Sequence, residues 1–152
     1  MITLCKTCGT AYDEQPKNCP ICDDERQYVP VTGQAWTDFD SLTTTHTNKW
    51  QQLGISAIAI SHPHYYTTMQ EWAAAFNAPI YLHASDRQWV MRDSPAIRFW
   101  EEDALEIMPS VTLLRLGGHF AGGTVLHWQS GDGVLLAGDI LQVTPGKDAV
   151  SF

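Results

Sequence analysis

The chain has no apolar run approaching the roughly 18–20 residues that span a membrane, and Met1-Ile2-Thr3-Leu4-Cys5 lacks the basic start and apolar stretch of a secretion signal. A soluble cytoplasmic protein is expected. Positive charge is also scarce: 9 Lys and Arg stand against 17 Asp and Glu, a formal charge of −8 with the acidic residues spread along the chain. That balance opposes binding to phosphate backbones, so neither nucleic acid nor membrane is expected as a partner. Internal repeats and low-complexity tracts are missing, and no cysteine occurs beyond position 22. The 152 residues, 44% of them hydrophobic, suffice for one ordinary core beside a small appended module, not for two full domains.

What cysteine there is lies together. Cys5-Lys6-Thr7-Cys8 and Cys19-Pro20-Ile21-Cys22 are two Cys-x-x-Cys pairs separated by ten residues. Each pair can turn two thiolates toward one point, and the two supply the four sulfurs of a closed tetrahedral zinc site. Gly9 suits the tight knuckle after Cys8. A pair of disulfides is the alternative, which reducing surroundings oppose. A redox role would need only one pair, in a strand–helix context that neither pair has. With four protein ligands such a zinc has no open position, so it stabilises folding and does not catalyse.

Residues 1–33 read as this cysteine module, with Val31-Thr32-Gly33 as a short linker and 34–152 as the main domain. Thr37 followed by Asp40 resembles a capping box for a short helix through Leu42, and Thr43 to Gln52 reads as a loop or second helix. Ile55–Ile60 has the near-continuous apolar run of a strand covered on both faces. Thr67–Asn77 reads as a helix with Met69, Trp72, Ala73 and Phe76 on one face. Pro79–Leu82 and Ser85–Met91 follow as strand and short helix. Beyond Pro95, strands are expected over Ile97–Trp100, Leu105–Met108, Val111–Leu116, Thr124–Trp128 and Val134–Ala137, the last two joined by the turn Ser130-Gly131-Asp132-Gly133. The sum is an α/β domain with much antiparallel sheet.

His62-Pro63-His64 follows the first of these strands at its carboxyl end, where α/β folds place ligands. The proline holds His62 extended, and side chains two apart on extended backbone point the same way, so both imidazoles can face one metal. Two histidines alone do not complete a site. Gly117-Gly118-His119-Phe120-Ala121-Gly122-Gly123 adds a histidine in a glycine-rich turn, and Leu135-Leu136-Ala137-Gly138-Asp139 ends a strand on a carboxylate. Singly, each has an ordinary explanation as a cap or a loop contact; together they point to a metal site. His83 and Asp86 could reach the same pocket or serve as caps. His127 reads as a packed strand residue sharing a face with Val125, His46 has nothing to support it, and the six tryptophans read as core or rim aromatics.

From Ile55 to Asp139 this ordered set of motifs resembles the metallo-β-lactamase fold, and within that superfamily the hydrolases with an N-terminal zinc-ribbon-like stretch. The resemblance implies a partial αββα sandwich of two mixed sheets. It implies zinc or another divalent metal on His62, His64 and His119, with Asp139 bridging toward a second ion. The family's Asp and His, two and three residues beyond its second histidine, are here Tyr66 and Thr67, and segments on either side of the matched region are shortened. One sheet is therefore expected to be incomplete, or completed by a second copy of the chain. Three histidines with one open position make a hydroxide at neutral pH that attacks an ester, thioester, amide or phosphoester of a small molecule. Asp139 would orient it or accept its proton, and Tyr65 or Tyr66, with Tyr66 preferred, would donate to the oxyanion. The alternative is a non-catalytic zinc-binding interaction protein on a degenerate or truncated hydrolase scaffold.

Overall fold

The protein is described by a computed structural model over residues 2–25, 27–47, 54–143 and 149–151. Strand β1 (Thr3–Cys5) pairs antiparallel with β2 (Ala11–Tyr12) on one side and β3 (Trp36–Asp38) on the other. This sheet takes strands from both sides of Gly33. Helix α1 (Phe39–Thr43) begins directly after β3. Its cap is Asp38, whose Oδ1 accepts the Ser41 N–H at 2.7 Å, and not Thr37, which is already committed to the β3 ladder opposite Leu4. Thr44 and Thr45 form a turn after α1, and positions 48–52 of the polar run lie outside the described residues.

The main domain is built on two sheets of different kind. Strands β4 (Ile58–Ala59), β5 (Ile80–His83) and β6 (Ile97–Trp100) run parallel in the order β4-β5-β6. Central β5 is the buried one, with Ile80 and Leu82 sealed beneath Tyr66, Met69 and Ala73. The expected Ile55–Ile60 strand shrinks to two half-buried residues, because β4 pairs only with β5 among the described residues. Strands β7 (Ala104–Met108), β8 (Val111–Arg115), β9 (Thr124–Trp128) and β10 (Val134–Leu136) form an antiparallel meander. The turn into β10 closes with Gly133 N–H donating to the Ser130 carbonyl at 3.0 Å. A small ladder, β11 (Gln142–Val143) with β12 (Val150–Ser151), follows. Each main sheet is thus purely parallel or purely antiparallel, where mixed sheets were expected. No helix among the described residues is long and apolar enough to cross a membrane.

Helix α2 (Met69–Phe76) ends on Asn77 in the left-handed region, φ 49°. Its buried face is Met69, Gln70 and Ala73, rotated from the expected stripe. Trp72 and Phe76 instead stack on each other at the surface, rings 5.9 Å apart and nearly parallel. The expected Ser85–Met91 helix is a 3-10 turn over Ala84–Trp89. It begins directly on β5 and buries Asp86.

Candidate metal centres

The cysteine cluster grows from two knuckles. After β1 the chain turns with Gly9 N–H donating to the Cys5 carbonyl at 2.8 Å, and Gly9 takes φ 76°, where glycine alone is unstrained. The second knuckle closes with Asp23 N–H on the Cys19 carbonyl at 3.0 Å. Cys5, Cys19 and Cys22 are buried and Cys8 is half-buried; one sulfur from each lies within 4.8 Å of the other three. The pairs Cys5–Cys22 and Cys8–Cys19 stand at 3.6 Å, far beyond the roughly 2.05 Å of a disulfide. Sulfurs on one tetrahedral ion with bonds of about 2.3 Å stand roughly 3.8 Å apart, so the cluster fits a single ion.

Polar neighbours hold these sulfurs. The Tyr12 hydroxyl lies 3.0 Å from Cys19 Sγ and the Thr10 hydroxyl 3.1 Å from Cys8 Sγ, while Cys19 N–H donates to Gln34 Oε1 at 2.7 Å. A hydrogen bond with Cys8, then one with Tyr12, bring the Cys19 thiol down to about 5 against burial. The same contact with Cys19 and then burial push Cys8 well up, and burial first of all pushes Cys22 to about 12. Thiolates are the form that ligates a metal, so uptake must release thiol protons, and affinity must fall as pH falls. Calorimetry at pH 7 in buffers of different ionisation enthalpy should give binding heats that track the buffer; heats independent of buffer would contradict proton-releasing thiolate ligation.

The histidine cluster forms where three turns meet. His62 caps the 3-10 turn Pro63–Tyr65 after β4 and His64 lies within it, with His62 almost fully buried and His64 half-buried. His119 comes from the glycine loop between β8 and β9. One ring nitrogen from each lies within 4.8 Å of the others, with ring centroids 4.8–5.3 Å apart. His119 Nε2 is buried without a hydrogen-bond partner, a state costing about 1–3 kcal/mol unless something outside the chain meets it. Asp139 Oδ1 approaches His62 Nε2 at 3.3 Å, the separation of two donors on one tetrahedral ion with bonds of about 2.0–2.1 Å. The residues present thus fit an ion.

The glycine loop can reach this place because it is bare of side chains where it is tightest. A Cβ on Gly123 would lie 2.5 Å from the Gly117 carbonyl, and the amides of Leu116 and Gly117 both donate to the Gly123 carbonyl. Ser61 Oγ stands 3.0 Å from His62 Nδ1, which leaves Nε2 to face Asp139.

Of the two tyrosines the structure brings Tyr65, not Tyr66, to the cluster. Tyr65 packs on His62 at 4.7 Å between centroids, and burial, then the charge and hydrogen bond of Asp139, raise its phenol. Tyr66 is buried in the apolar core with Met69 and Ala73, because successive residues of the 3-10 turn point apart. Burial and then the charge of Asp86 push its phenol up. Thr67, at the other departure from the family pattern, lies against the cysteine module: its carbonyl accepts the Ala11 N–H at 3.2 Å and its side chain is 3.6 Å from where a Gly9 Cβ would be. His83 and Asp86 stay out of the convergent set and pack beside Gly122. His127 is half-buried on β9 opposite Leu135 and Thr112. His46 is exposed, 2.7 Å from the Thr45 hydroxyl.

Sequence reasoning missed Phe120. It stacks on His62 at 5.5 Å and meets the edges of His64 and His119 at 4.9 and 5.3 Å. Its only signal was its place beside His119.

A mixed α/β protein with one thiol cluster and one histidine cluster, each fit for an ion, is the class that fold and sites define. The chain belongs to the family of the uncharacterized protein YmaE of Bacillus subtilis (strain 168), with which it is 37% identical over 206 aligned positions, covering 98% of this chain and 75% of that protein. No family model matches the chain. Part of the fold is similar to solved structures. One is an N-acyl homoserine lactone hydrolase with N-hexanoyl-L-homoserine at its catalytic metal centre, at TM-score 0.45 and 23% identity over 55% of this chain. Another is AiiA of B. thuringiensis with N-decanoyl-L-homoserine bound, at TM-score 0.45 and 24% identity. The chain spans only 37% of the length of each.

Proposed function

We propose that the protein is a zinc-dependent hydrolase in which His62, His64 and His119 hold one catalytic ion and the four cysteines hold a second, structural zinc. The observation that carries the reading is the convergence of three histidine nitrogens within 4.8 Å, with Asp139 3.3 Å from His62. A bound divalent ion would supply Lewis acidity and make a water nucleophilic near neutral pH. Asp139, partly exposed beside His62, orients that water or takes its proton. The Tyr65 phenol, held in its protonated form, donates a hydrogen bond to the charge that develops on an ester, thioester, amide or phosphoester oxygen. A cavity of about 320 Å³ bordered by Ile60, Tyr65, Leu126, Leu136 and Gly138 offers an apolar seat for the rest of a small-molecule substrate. Chemistry with one ion suits Tyr66 and Thr67, which are engaged in the core and against the cysteine module. A cytoplasmic, reducing setting suits four unlinked thiols.

Metal content and turnover test this together. The wild-type chain should carry two zinc ions, and His62→Ala with His119→Ala should carry one and lose hydrolysis of generic ester and phosphodiester substrates by about a hundredfold or more. A single zinc that survives both substitutions would leave a non-catalytic zinc protein, and turnover that they do not change would belong to a contaminant.

A further inference from the structure

Asp86 lies in the 3-10 turn that follows β5 and is only 1% exposed. A carboxylate so deeply buried is costly unless donors hold it in place. One donor is the N–H of Gly122, 2.9 Å from Oδ1 and 36 residues further along the chain. A Cβ on Gly122 would lie 2.7 Å from Asp86 Oδ2 and 3.0 Å from His83 Cβ, so this approach requires glycine at 122. Gly122 follows His119 by three residues. Asp86 therefore ties the turn after β5 to the loop that presents His119, and it is not one of the three residues whose ligand atoms converge.

We propose that Asp86 is the positioning residue of the histidine site: it staples the glycine loop to the end of the parallel sheet and so fixes His119 within reach of His62 and His64. This rests on the reading that the three histidines hold a metal. With the staple gone, the Gly122 amide is buried without an acceptor and the loop must move to hydrate it, taking His119 with it. An asparagine keeps an acceptor oxygen in the same place, so the role predicted is that of the hydrogen bond and not of the charge.

Cobalt(II), added to the metal-free full-length chain, reports each site separately, since thiolate ligation gives a charge-transfer band that histidine ligation lacks. In Asp86→Ala the histidine site should bind cobalt about tenfold or more weakly than wild type while the cysteine band and its affinity stay unchanged. Asp86→Asn should restore binding to within about threefold. Gly122→Ala should reproduce the selective loss. Wild-type affinity in Asp86→Ala, or a loss in Asp86→Asn as large as in Asp86→Ala, overturns the assignment. If Asp86→Ala loses the cysteine band as well, the other two variants decide: the assignment stands only on a near-wild-type Asn variant together with a selectively weakened Gly122→Ala. Wild-type protein that takes cobalt only at the cysteines overturns the proposed hydrolase, and this assignment with it.

Discussion

Cys19→Ser should empty the cysteine cluster and unfold the N-terminal sheet, and it should do so more severely than Cys8→Ser. Cys19 is fully buried, its sulfur takes contacts from Cys8 and Tyr12, and its amide holds Gln34. Cys8 is half-buried, and the hydroxyl beside its sulfur is that of Thr10. The sheet has few other resources. Its strands are two or three residues long, and the fully buried part of its apolar cluster is three of the cysteines with Tyr12 and Ile21, edged by half-buried Val29, Trp36, Trp89 and Met91. A structural zinc site contributes on the order of 10–16 kcal/mol to such a module, so a serine that weakens it by even about 4 kcal/mol lowers the melting temperature by roughly 8–16 °C. Zinc content should fall from two ions to one per chain. Retention of both ions, or a melting temperature within a degree of wild type, would refute the structural role.

That site was legible because it is local. Two short spacings and one glycine specify both knuckles, and no distant residue is needed to bring the sulfurs together. The strands Ile97–Trp100 and Thr124–Trp128 were legible residue by residue for a similar reason: each is a β-rich run bounded by turn residues. Helix α2 was read correctly as a helix and wrongly as to its face, since periodicity places Trp72 and Ala73 together while packing on β5 buries only Ala73. The histidine cluster was legible as a set of converging side chains and not as an environment. Which of Tyr65 and Tyr66 faces His62 depends on the turn that Pro63 starts. That Phe120 covers three imidazoles, or that Thr67 meets the cysteine module, depends on contacts between segments tens of residues apart, which no spacing encodes.

Those long-range contacts make Trp89→Ala the second substitution of large effect. Trp89 packs on both apolar clusters, the one beneath the parallel sheet and the one formed by the cysteines, and its ring meets Phe120 at 5.7 Å edge to face. Phe120 in turn is buried against His62, His64 and His119. One indole thus joins the cysteine cluster to the histidine cluster through a single intervening ring. Full burial of a tryptophan is worth about 3–5 kcal/mol on truncation to alanine; Trp89 is half-buried, so about 2–3 kcal/mol is expected. The loss should be felt at both ends: cobalt at the histidine site about tenfold weaker, and faster release of metal from the cysteines. Trp89→Phe should keep most of both, since an aromatic ring still reaches Phe120. Trp72→Ala supplies the contrast, because Trp72 is 40% exposed and stacks on Phe76 at the surface, so it should cost less than about 1 kcal/mol and leave both clusters untouched. Equal melting temperatures for Trp89→Ala and Trp72→Ala, or a histidine site indifferent to Trp89→Ala, would mean that the two clusters fold side by side without being coupled.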